Sequence, residues 1–151
     1  MAKYQFRLET LQKVREARRN EDRASLAEAF RAEQVLAENQ AELAAEAEEL
    51  KALRRTAIAG PYTDVNQLLE VQRYELLLKA QSQELAKQAV LLAAESERRR
   101  QVLVESDREV RVLELLDERH QREFKREQLR QETKLLDETA TNRWRMKQPQ
   151  S

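Results

Sequence analysis

The stretch Ala59-Gly60-Pro61-Tyr62-Thr63-Asp64 sets the topology of this chain. It holds the only glycine of the chain and one of its two prolines. Gly60 can adopt the left-handed conformation that closes a helix. Pro61 lacks an amide proton and cannot continue that helix. Thr63 and Asp64 can cap a following helix, and Asp64 with Gln67 has the spacing of a capping box. Long stretches free of glycine and proline lie on both sides. The expected fold is therefore all-α: two long helices in an antiparallel coiled-coil hairpin turning at Gly60 and Pro61.

Composition supports this reading. Charged residues make up 37% of the 151 residues, with 28 basic and 28 acidic side chains. Such balance excludes a disordered polyelectrolyte and gives no overall pull toward nucleic acid. Aromatics are 5%, too few for an ordinary globular core, and Ala, Glu, Leu, Lys, Arg and Gln dominate as in long helices. Cysteine is absent, which removes disulfides and thiolate metal sites. No apolar run approaches the roughly 18 residues of a membrane span, and the N-terminus lacks the apolar segment of a signal peptide.

On either side of the turn, the first helix is expected over about 6–58, the turn itself over 59–63 and the second helix over about 64–141. A flexible tail is expected at 142–151, and the whole as one coiled-coil domain. Leu36, Leu43, Leu50 and Ala57 recur every seven residues, as do Val71, Leu78, Leu85 and Leu92. This period marks a left-handed coiled coil. The apolar stripe nearly vanishes between Arg15 and Arg23. A single antiparallel register pairs Leu50 with Val71, Leu43 with Leu78, Leu36 with Leu85, Asp22 with Arg99, Leu11 with Val110 and Leu8 with Leu113. It sets Ala47 opposite Tyr74 and leaves the second helix projecting beyond residue 114 by about 27 residues, or ~40 Å. Phe124, Leu129, Leu135, Leu136 and Trp144 then have no partner within the chain.

The residues offer little chemistry. One histidine, His120, gives a His-based metal cluster or a Ser/His/Asp triad little to build on and sits at a heptad position. One glycine cannot make a phosphate loop. The carboxylates alternate with bases as on a solvated helix face. We expect no enzyme, no catalytic residues, no cofactor and no metal. Arg98-Arg99-Arg100 is diluted by neighbouring acids and reads as a solvated charge run. Residues 24–50 carry seven glutamates and one arginine, while the chain ends lean basic. Tyr74 is expected to pack over Ala47, and Trp144, beyond the hairpin, to mark a contact.

The two ends carry a resemblance. Tyr4-Gln5-Phe6-Arg7-Leu8-Glu9-Thr10-Leu11-Gln12-Lys13-Val14-Arg15 is similar to the opening of the flagellar export protein FliJ family. Lys134-Leu135-Leu136-Asp137-Glu138-Thr139-Ala140-Thr141-Asn142-Arg143 resembles its closing motif, Leu-Asp-Glu-x-Ala-x-x-Arg. The resemblance implies a stalk-like coiled coil of the flagellar type III export apparatus. Its implied partners are the hexameric export ATPase FliI, the cytoplasmic domain of the export gate protein FlhA, and export chaperones. The implied location is cytoplasmic, at the inner-membrane face of the basal body. The expected ATPase contacts are Leu8, Leu11, Phe124, Leu129, Leu135, Leu136, Arg143 and Trp144. The family's gate patch maps to Tyr74, Leu78, Gln81 and Leu85, of which only the first two match its pattern. Alternatives are the stalk of a non-flagellar type III secretion system, or an unrelated coiled coil binding nucleic acid or a membrane surface through its basic end.

Overall fold

The computed structural model describes residues 2–148. Two helices account for most of them: α1, Glu9–Ala59, and α2, Val65–Lys147. They pack as an all-α hairpin, and no strand occurs among the described residues. Leu, Ala, Glu, Gln, Lys and Arg dominate both helices, so side-chain entropy opposes the helix little. Glu9 lies in the first turn of α1, and Arg145 and Lys147 lie in the last turn of α2. Each complements the partial charge of its helix end.

The turn differs from the expectation in one respect. No glycine has a positive φ, so Gly60 does not use the left-handed conformation. A methyl group there would meet Thr56 O at 3.8 Å and Ala57 O and Tyr62 O at 3.9 Å, ordinary contact distances. The reversal follows from Pro61, which ends α1, and from Asp64, which starts α2. Asp64 Oδ1 accepts the Asn66 amide at 3.0 Å, and Asp64 O accepts the Leu68 amide at 3.1 Å. This is a helix N-cap, without the return bond from Gln67 that would complete a capping box.

The chain divides into two compact units, residues 2–19 with 105–148, and Asn20–Val104. In the second unit, the less exposed positions of α1 step by three and four residues: Leu26, Ala29, Glu33, Leu36, Gln40, Leu43, Ala47, Leu50, Arg54. Those of α2 run Val71, Glu75, Leu78, Leu85, Ala89, Leu92, Ser96. These are seam positions of a coiled coil. Ala29 is 2% exposed and Leu78 4%.

The register differs from the one read from the leucines alone. Leu43 lines one groove with Leu78 and Ser82, and another with Gln81, Glu84 and Leu85. Leu43 thus borders its expected partner Leu78 and also Ser82 and Leu85. Ala47 lies with Leu78, and Leu36 with Gln88, Leu91 and Leu92. Tyr74 sits at the rim, 44% exposed, its hydroxyl donating to Glu46 Oε2 at 3.3 Å. Arg99 donates to Ser25 O at 2.8 Å and to Glu95 Oε1 at 3.0 Å.

The first unit is built by α1 residues up to Arg19, α2 from Glu105 and the segment before α1. Val110 is 1% exposed and Leu113 8%. Leu11, the expected partner of Val110, is 40% exposed. The seam is filled there by half-buried Gln12 and Arg15. Arg15 pairs with Glu109 at 2.7 Å and Arg19 with Asp107 at 3.8 Å. Arginine stems can cover apolar surface while their heads stay hydrated, which carries the seam through a stretch poor in leucine.

Candidate functional site

The segment before α1 changes where the hairpin ends. Residues 2–6 are not helical; they lie along α2. The Tyr4 hydroxyl donates to Asp117 Oδ1 at 2.6 Å. Its ring meets Phe124, with centroids 5.6 Å apart and planes tilted by 54°. Phe6, 7% exposed, packs its ring on His120 at 6.0 Å. Gln128 Nε2 donates to Ala2 O at 3.2 Å. Phe124 therefore has a partner inside the chain, contrary to expectation, and α2 is covered through Gln128 instead of ending its contacts near residue 114. Leu8 is half-buried in the same packed region.

The Tyr4 phenol is pushed up to about 12, first by desolvation, then by the hydrogen bond and the negative charge of Asp117. The neutral, donating phenol is thus the form this contact favours.

From Leu129 onward every described residue is exposed, yet α2 stays helical to Lys147. The helix runs six residues past the expected end at 141, into the stretch expected to be a flexible tail; residues 149–151 of that tail lie outside the described residues. The local reasons are visible. Thr133, Thr139 and Thr141 return their hydroxyls to the carbonyls of Leu129, Leu136 and Asp137 at 2.8, 2.9 and 2.7 Å, which satisfies each hydroxyl within the helix without ending it. Arg145 and Lys147 close the helix electrostatically.

This stretch spans roughly 28 Å at ~1.5 Å per residue. Leu129, Leu136, Ala140 and Trp144 fall within an arc of about 80° on one side of it, at ~100° per residue. Leu129 is 63% exposed, Leu136 69% and Trp144 64%. Arg143 borders this stripe and Lys147 ends it. Leu135 and Met146 share a different side. Of the eight expected ATPase contacts, the structure thus groups Leu129, Leu136, Arg143 and Trp144. It sets Leu135 apart from them, leaves Leu11 partly exposed on α1, and places Leu8 and Phe124 in packed positions. Lys147 and Ala140, outside the expected set, join this stripe by helical spacing from Leu129.

The four expected gate residues divide by depth. Tyr74 and Gln81 are exposed, Leu85 is half-buried, and Leu78 is a core residue of the seam. The neighbouring Leu77, 51% exposed, takes the surface position.

Two further properties bear on function. No described helix is long and apolar enough to cross a membrane. Among the described residues no group of three His, Cys, Asp or Glu side chains is arranged to hold a metal ion.

The geometry defines a helical hairpin whose last stretch of α2 is left uncovered by its own chain. Residues 4–149 match the family model of the flagellar FliJ protein, nearly the whole chain. The chain belongs to the FliJ family, and so is a component of the flagellar export apparatus. No curated protein and no solved structure matches it.

Proposed function

We propose that this protein binds and regulates the hexameric export ATPase FliI and couples it to the export gate, performing no chemistry of its own. The observation that carries this reading is the uncovered amphipathic helix 129–147, continuous with a packed helix. A helix of this length is only marginally stable alone in water; anchored at one end, it offers a preformed apolar stripe at reduced ordering cost. Leu129, Leu136 and Trp144 supply the apolar anchor, and Arg143 and Lys147 the cations beside it. Tryptophan and arginine are frequent centres of binding energy.

The contact with the cytoplasmic domain of FlhA falls to Tyr74, Leu77 and Gln81, with Leu78 supporting them from beneath. Export chaperones are further partners. The protein works in the cytoplasm, at the inner-membrane face of the basal body, held there through its partners.

The test is ATPase stimulation by the full chain and by a chain ending at Gln128. The full chain is expected to stimulate FliI; the shortened chain is expected to lose stimulation while its remaining hairpin stays helical by circular dichroism. Undiminished stimulation by the shortened chain contradicts the proposal.

A further inference from the structure

The unit Asn20–Val104 carries a second uncovered surface, which shares no residue with helix 129–147. On one side of its seam, α1 and α2 leave a groove of about 680 Å³ floored by Ala32, Val35, Leu36, Leu91 and Leu92. Val35 is 56% exposed and Leu91 71%. Both lie outside the seam, where a helix serving only the hairpin would carry polar residues. The groove adjoins a second hollow through their shared residue Asn39, and that hollow is lined by Glu42, Glu46 and Glu84 above Leu43 and Leu85.

The groove itself is lined by Arg31 and by Glu95, which Arg98 and Arg99 hold, whereas the adjoining hollow carries three carboxylates and no base. Several carboxylates elsewhere are matched: Glu95 holds Arg98 and Arg99, Glu75 holds Arg54, and Glu109 holds Arg15. Among the described residues Glu42 and Glu84 form no hydrogen bond or ion pair, and Glu46 accepts only the Tyr74 hydroxyl. The trough between two packed helices is the place where a third helix lays its ridge. Apolar anchors at i, i+3 or i+4, and i+7 fit such a floor. Lysines or arginines flanking that ridge would meet these three carboxylates, and complementary charge selects such a partner over an acidic one.

We propose that this groove docks a basic amphipathic helix of a partner protein, giving a local three-helix packing on the acidic half of the hairpin. Val35, Leu36, Leu91 and Leu92 receive its apolar face, and Glu42, Glu46 and Glu84 its cations.

The experiment titrates the full chain with a labelled synthetic helix of about 18 residues, long enough to span the groove, leucine on one face and lysine on the other. A twin peptide carries glutamate for lysine. The basic helix is expected to bind at least about tenfold more tightly than the acidic twin, and more weakly as salt rises. Amide shifts are expected at Val35, Leu36, Leu91 and Leu92. Glu42→Gln with Glu84→Gln is expected to weaken binding, and Val35→Ser with Leu91→Ser to abolish it. All four are exposed positions, so circular dichroism should not change. Equal binding of both peptides, shifts centred on residues 129–147, or indifference to both variant pairs overturns the proposal. Self-association of the chain that both variant pairs abolish overturns it in favour of a second copy as the occupant.

Discussion

The Tyr4 hydroxyl donates to Asp117 Oδ1 across 2.6 Å, while the same ring rests on Phe124. One residue near the N-terminus thus ties down α2 beyond the start of α1. Tyr4→Phe keeps the ring contact and loses the hydrogen bond; Tyr4→Ala loses both. Amide exchange in residues 2–8 is expected to quicken modestly in the first variant and strongly in the second. Equal exchange in all three proteins would show that these contacts do not hold the segment.

The same pair sets an alkaline limit. With its ionisation pushed up to about 12, the neutral Tyr4 phenol contributes its stabilisation fully below the ordinary tyrosine range near ~10. That contribution fades as pH rises through the folded value. Ultraviolet titration of the wild type against Tyr4→Phe should reveal one phenol ionising near 12. A missing phenol that titrates near ~10 would contradict the contact in solution.

Glu95 sets an acid limit. Hydrogen bonds from Arg98 and then Arg99 hold its carboxyl down to about 2. A carboxylate depressed in the folded state stabilises at pH above its ordinary value and loses that contribution as pH falls through the folded one. The group is solvent-facing, and salt screening keeps the effect small. Glu95→Gln is expected to flatten the fall in Tm on acidification between the ordinary carboxylate range and about 2, most visibly at low salt. An identical slope in both proteins would show that the pair is not formed.

The seam and its rim separate by mutation. Leu78 is 4% exposed and Tyr74 44%. Leu78→Ala is expected to cost about 2–5 kcal/mol, and Tyr74→Ala less than about 1 kcal/mol. Urea unfolding measures both. The reverse order would restore the register in which Tyr74 faces Ala47.

Much of this architecture can be read from the chain itself. The two seven-residue repeats and the Gly60-Pro61 break give the helices, their antiparallel pairing and the turn. The register was legible only approximately, because apolar repeats mark which residues enter the seam without saying which hole each fills. Leu43 borders hollows shared with Ser82 as well as with Leu78 and Leu85, and a small polar residue sends no apolar signal. The turn shows a related limit: glycine permits a left-handed φ without requiring it. The uncovered helix was legible from the off-centre turn, but not its start at Leu129. The seven residues Ala2–Leu8 have no periodicity, and their path along α2 rests on a few contacts by Ala2, Tyr4 and Phe6.

The proposed function stands or falls on whether one side of helix 129–147 engages the export ATPase. Calorimetric binding of FliI to two double variants decides it: Leu136→Ser with Trp144→Ala, and Leu135→Ser with Met146→Ser. All four side chains are exposed, from 61% for Leu135 to 89% for Met146, so both variants should retain the fold. The first pair is expected to weaken binding by about 2 kcal/mol or more, as loss of anchor residues does, and the second to leave it nearly unchanged. Equal affinity of both variants and the wild type would contradict the assignment of this helix to the ATPase.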